Sequence, residues 1–172
     1  MKRILTVSTL CICSLIFTGC GYKFGPLNHP QLKSIAVAPV TNDTLAYNAS
    51  AILRGVLNER FTTDGSMKLE SVKKADCILY ARISEVSYQA IGHGTDDNGD
   101  DTFLADEWRC KVSVEYSVIL PGRGKPLIHN RTAGGSADFV TGPDLETSRR
   151  NAMRQAFLAA AKTIVSNITE GW

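Results

Sequence analysis

Apolar and polar residues alternate without a break from Trp108 to Val118. Trp108, Cys110, Val112, Val114, Tyr116, Val118 and Leu120 hold one parity; Arg109, Lys111, Ser113, Glu115 and Ser117 hold the other. A period of two is the pattern of a strand with one buried face. Residues 75–92 alternate in the same way, with Cys77, Leu79, Ala81 and Ile83 on one parity. Val86 and Tyr88 then take the opposite parity, so a bulge is expected near Glu85. The run SIAVAPV at 34–40 reads as a buried strand, and 67–72 as a weaker one. PGRGK at 121–125 has the glycine and proline of a hairpin turn, returning the chain through PLIHNRTAGGSAD.

In two places the apolar spacing lengthens to three and four. TNDT at 41–44 supplies polar cap candidates before a helix over 46–62, whose one face is Ala49, Ile52, Leu53, Val56, Leu57 and Phe61 and which TDGS ends. Leu145, Ala152, Met153, Ala156, Phe157, Ala160, Ile164 and Ile168 make a longer stripe, with Thr141 and Asp144 resembling a capping box at its start. The alanines would let this helix lie close to a sheet. The order is β-α-β-β-β-β-α. It predicts an α+β fold, two helices packed on one face of a mixed, roughly four-stranded sheet.

The N-terminus follows neither pattern. Met1-Lys2-Arg3 is a short basic tip, and residues 4–17 form an apolar run that stops at Thr18-Gly19-Cys20. About 14 residues is short of the roughly 20 a spanning helix needs, and has the size of a signal-peptide core. FTGC resembles the bacterial lipobox, with Phe17 where Leu is usual. That resemblance implies cleavage before Cys20 and lipidation of its sulfur; a plain signal peptide or an uncleaved anchor is the alternative. Several acyl chains exceed the two-signal threshold for stable anchoring. Gly21 follows where an inner-membrane lipoprotein would carry Asp, which implies the outer membrane, periplasmic side. The expected organisation is a signal peptide at 1–19, a lipidated N-terminus and tether at 20–33, and one domain at 34–172.

Processing changes the charge and the cysteine count. Removing Lys2 and Arg3 from 19 basic residues leaves 17 against 17 acidic ones, so the mature chain is neutral and no nucleic-acid partner is expected. Cys11 and Cys13 leave with the signal and Cys20 takes the lipid. Cys77 and Cys110 remain, free to pair or to pack as small hydrophobes on their strand faces.

Candidate chemistry is sparse. Asp96, Asn98, Asp100 and Glu107 fall at EF-hand ligand spacing, but Asp101 stands where the loop needs glycine and strands flank it, so a solvated connection is the expectation. GRGK lacks the spacing of a phosphate loop, and His29, His93 and His129 join no nucleophile or carboxylate pair. No enzymatic activity, cofactor or metal is expected. Basic residues stand out more. Arg82, Arg109 and Lys111 lie on the polar parity of the central strands, and Arg123, Lys125 and Arg131 cluster around the hairpin. They suit phosphate oxygens or a docking partner; an ordinary solvated face, balanced by Asp106 and Glu115, is the alternative.

CGYKF at the lipidated start, SIAVAPVTNDT, AILRGVLNERF, ADCILYARISEV and RRNAMRQAFLAAAKTIV together resemble the lipopolysaccharide-assembly lipoprotein family, LptE, over residues 20–168. The resemblance implies a non-enzymatic protein that sits inside the LptD outer-membrane β-barrel, assists its assembly and helps deliver lipopolysaccharide to the outer leaflet. It also implies lipopolysaccharide contact through basic residues at one end of the sheet. From local charge, Arg123, Lys125 and Arg131, with Arg109 and Lys111, are the candidates. Outer-membrane lipoproteins that activate a peptidoglycan synthase share the lipobox, tether and first strand, and are the second reading. They need a long tether, whereas residues 21–33 span at most roughly 43–47 Å.

Overall fold

The computed structural model describes residues 32–95 and 101–170. Its elements are β1 (Ser34–Val37), β2 (Thr41–Asn42), α1 (Ala49–Asp64), β3 (Lys68–Leu69), β4 (Cys77–Thr95), β5 (Asp101–Ile119), β6 (Ile128–Val140) and α2 (Leu145–Thr169). They form an α+β fold with one sheet in the order β3-β1-β4-β5-β6, and β2 also pairs with β4. β1 runs parallel to β3 and β4, with α1 as the crossover that parallel strands require. β4, β5 and β6 form an antiparallel meander.

The sheet has six strands where the alternation predicts about four. Pro39 carries no N–H for a ladder, so the expected strand over 34–40 breaks after Val37. The chain then re-enters beside β4, with Thr41 opposite Arg82 and Asn42 opposite Ile83. The expected bulge is present. Ile83 pairs with Val114 and Glu85 with Ser113, leaving Ser84 as the extra residue. That insertion reverses the parity of β4, which is why Val86 and Tyr88 pack against the core.

Both helices lie on one face. Leu53, Leu57 and Phe61 of α1 and Ala156, Phe157 and Ile164 of α2 share a single core with Leu79, Ile83, Val112 and Val114 of the sheet. α1 ends where Gly65 adopts φ 70° and its N–H returns to the Phe61 carbonyl at 3.1 Å, a left-handed cap that suits glycine. α2 starts differently from the capping box expected at Thr141. Asp144 is its N-cap and accepts from the Thr147 N–H at 3.1 Å. Thr141 instead donates its N–H to the Asp106 carbonyl at 2.8 Å, finishing the β6 edge.

The two thiols are unbonded and buried. Cys77 lies beside Ile35 at the start of β4, while Cys110 lies opposite Tyr88. Eleven residues of strand, roughly 36 Å, separate these registers, which excludes a bond between them. Burial pushes the Cys77 thiol up to about 12 and the Cys110 thiol to about 11, so neither is a thiolate at neutral pH.

Asp76 fastens the entry of the domain. Its carboxylate accepts from the Lys33 and Ser34 N–H groups and from Ser34 Oγ, each at 2.9 Å. These bonds, the Lys33 N–H first, hold its carboxyl below the usual aspartate value. A carboxyl depressed in the folded state stabilises the fold above its unfolded pKa and loses that contribution as pH falls through the folded one. Asp76→Ala is therefore expected to lower the melting temperature at pH 7. The difference from wild type should narrow as the pH falls below about 3.9; a gap that stays constant down to acid pH would contradict this assignment.

Candidate functional site

Covering one face of the sheet leaves the other open. Among the described residues, Ala36, Ala38, Ala75 and Ile78, with Ile119 against them, make a small apolar cluster there, near the chain entry. The rest of the open face carries the polar parity of β4, β5 and β6. Every cation of the central strands on this face has a partner. Arg109 makes a two-pronged contact with Asp138, Nε to Oδ1 at 2.6 Å and Nη2 to Oδ2 at 2.8 Å. Arg82 bridges Asp43 Oδ2 at 2.8 Å and Glu115 Oε2 at 2.6 Å. Lys111 Nζ donates to Gln89 Oε1 at 3.0 Å. The Arg109 guanidinium holds the Asp138 carboxyl low, and Glu115, then Asp43, hold Arg82 high. Exposed pairs of this kind add little stability. Their consequence is a charged surface that is nearly neutral in itself.

A shallow cavity of about 230 Å³ lies on this face between Pro39, Thr41, Tyr80, Arg82, Glu115 and Ser117. Its two charged lining residues, Arg82 and Glu115, are paired with each other. Among the described residues, no three His, Cys, Asp or Glu side chains come together as metal ligands. Glu107, placed by its spacing at the end of a calcium loop, instead sits within β5, opposite Gly92 and Val140. Asp96, Asn98 and Asp100 fall outside the described residues.

The basic candidates do not form one site. Arg109 and Lys111 lie on the open face toward the β4–β5 turn, already paired. Arg123 and Lys125 sit in the β5–β6 turn, where the Arg123 N–H closes on the Leu120 carbonyl at 3.1 Å. Arg131 is exposed opposite Tyr116, on the parity that faces the helices. Ile119 pairs with Ile78 and Ile35 with Cys77, so the β5–β6 turn and the chain entry at Ser34 share one end of the sheet. Arg123 and Lys125 thus lie at the end where the chain enters the sheet at Ser34. Cys20 lies outside the described residues, and so do residues 1–31 as a whole.

Sequence reading missed the role of TNDT. It expects a helix cap there, but Asn42 Oδ1 accepts from Thr44 N and Oγ1 at 3.0 and 2.7 Å, and Asn42 Nδ2 donates to the Ala46 carbonyl at 3.0 Å. These bonds form a tight, self-bonded loop. Asp43 is thereby presented to Arg82. An Asn-x-Thr spacing after a strand was the available signal.

No family model matches the chain, and no curated protein is detectably similar in sequence. Solved structures do share the fold. Protein XCC0632 from Xanthomonas campestris, of family DUF330, superposes with a TM-score of 0.56 at 10% identity, over 83% of this chain and 89% of that one. A point variant of the PelC dodecamer from Paraburkholderia phytofirmans gives 0.52 at 11% identity, over 85% and 95%. A minor lipoprotein from Acinetobacter baumannii gives 0.51 at 14%, over 80% and 93%. At these identities the likeness is one of fold. Among the described residues, no helix is long and apolar enough to cross a membrane.

Proposed function

We propose that this chain is a lipid-anchored outer-membrane lipoprotein that assists assembly of, and plugs, the LptD β-barrel translocon for lipopolysaccharide. The observation that supports this reading is the open sheet face. It is mostly polar, yet Arg82 and Arg109 are already paired with carboxylates within the chain and Lys111 is hydrogen-bonded to Gln89. A domain enclosed by a barrel loses bulk water over much of its surface, and an unmatched charge would then be costly. Outer-membrane barrels have polar interiors, so a polar, self-neutralised face fits such a lumen better than an apolar or strongly charged one. The lipobox at Cys20 and the fold shared with a minor lipoprotein fit the same reading.

A photoreactive residue in place of Ser113, at the centre of the open face, is the direct experiment. It should give a covalent adduct with a large outer-membrane β-barrel in growing cells. Adducts only with lipid, or with no protein at all, would overturn the enclosure.

Arg123 and Lys125 are the lipopolysaccharide contacts in this reading, since they lie at the chain-entry end and no ion pair among the described residues claims them. Arg123→Glu with Lys125→Glu is expected to weaken lipopolysaccharide binding by roughly tenfold or more while leaving the circular-dichroism spectrum unchanged. Undiminished binding would remove both residues from the site.

A further inference from the structure

Opposite the chain-entry end, the molecule presents apolar side chains that its own core does not use. Leu45 is fully exposed and Tyr47 is 91% exposed; Val140, the last residue of β6, and Ile91, in the far part of β4, are 60% and 38% exposed. Leu45 and Tyr47 are not on a loose loop. The Asn42–Thr44–Ala46 hydrogen bonds fix it, Thr44 Oγ1 accepts from the Ala46 N–H at 3.2 Å, and the Asp43 N–H is tied to the Ile83 carbonyl at 3.1 Å. A rigid loop that holds two bulky apolar groups in water is built for contact.

Beside it lies a cleft of about 280 Å³ lined by Tyr47, Asn48, Tyr88, Arg149, Arg150 and Met153, with the exposed Glu146 carboxylate at its rim. Tyr88 forms its base, held edge-to-face against Phe139 at 6.1 Å. The Arg149 guanidinium lies 5.6 Å from the Tyr88 ring centre, with one long bond of 3.3 Å to Glu146 and a buried Nε that has no partner. Arg150 is exposed on the next position of α2. One arginine over an aromatic floor and a second at the cleft wall, next to apolar knobs, outnumber Glu146 and match a carboxylate flanked by an apolar group.

The surroundings favour a protein as the occupant. Tyr88 lies eleven residues along β4 from the register of the chain entry, so the cleft is roughly 36 Å from that entry. Anionic lipid surfaces are read by clusters of about 4–8 basic residues, and this cleft offers two, while Arg109 and Lys111 on the open face are held by Asp138 and Gln89. A second copy would bring Leu45 and Tyr47 but no free acid on that loop, because Asp43 is bound to Arg82. We propose that Leu45, Tyr47 and the Tyr88–Arg149–Arg150 cleft are a docking surface for a partner-protein segment that carries a carboxylate beside a bulky apolar side chain. Tyr88 packs on the helix side of the sheet, so the proposal does not depend on a barrel enclosing the open face.

The test uses the full lipidated chain in its own cells, with p-benzoylphenylalanine at position 47 and, as the control, at position 162 on the exposed side of α2. The expected result is a protein adduct at 47 but not at 162, mapped by mass spectrometry to a segment with an acidic and an apolar residue. Its yield should fall roughly tenfold in Arg149→Glu/Arg150→Glu, and similarly in Leu45→Ser. Arg150→Glu alone, which leaves Arg149 on Tyr88, separates lost docking from lost folding, as its melting temperature should be unchanged. Adducts to lipid only, to a second copy of this chain, to nothing, or to a protein whose yield ignores the arginine and leucine substitutions would each overturn the proposal.

Discussion

Replacing Gly135 with alanine is expected to destabilise the domain by about 3 kcal/mol. A methyl at that position would lie 2.0 Å from the Ala156 carbonyl oxygen and 2.8 Å from the Ala160 nitrogen. Both are backbone atoms of α2, so no side-chain rotation relieves the clash, and the helix must lift from the sheet. That lift would open the interface formed by Ala152, Ala156, Ala160 and Ala161, whose small side chains allow the close approach in the first place. In a domain of this size the loss corresponds to roughly 6–12 °C in melting temperature. Gly134 supplies the control. A methyl there meets only the Val112 carbonyl at 3.7 Å, an ordinary contact. Gly134→Ala should therefore fall within about 1 kcal/mol of wild type. Equal effects at the two glycines would contradict the packing described for α2.

Phe157→Ala is the second large effect, expected at about 3–5 kcal/mol. The ring is fully buried in the shared core of sheet and helices, one residue from the Ala156 contact with Gly135. Its removal loses the transfer free energy of a benzyl group and leaves a cavity that the tightly seated helix cannot collapse into. Phe157→Leu keeps most of the volume and should cost less than about 1.5 kcal/mol. Because both substitutions act on the seating of one helix, the double variant Gly135→Ala/Phe157→Ala should lose less than the two single losses combined. Denaturant titration of the four proteins reads this directly; strict additivity would mean that α2 does not move as a unit.

The way these residues were legible, or not, follows from the range of the physics involved. Alternation through residues 108–120, and its slip near Glu85, state which side of a strand meets the core, and the sheet follows both. The alanines of α2 announced a close approach, but not the glycine it would meet, because Gly135 is far in sequence and only register brings it under Ala156. The reading of 34–40 as one strand passes over Pro39, which has no N–H for the ladder, and the return of the chain beside β4 at Thr41 depends on tertiary pairing. The basic residues show the same limit more sharply. Local charge gathered Arg109, Lys111, Arg123, Lys125 and Arg131 into one group, but strand parity puts Arg131 on the helix side, and distance along β5 separates the paired cations from those of the turn. Apolar exposure at Leu45 and Tyr47 could not be read at all, since helical spacing makes Ala46 and Ala49 look like the start of a buried face.

The central claim is tested most directly by isolating the tagged, lipidated chain from detergent-solubilised membranes and determining by mass spectrometry what co-elutes and in what ratio. A large outer-membrane β-barrel recovered one-to-one with the chain is the predicted result. Recovery of the chain alone, or with a peptidoglycan synthase in place of a barrel, would contradict it.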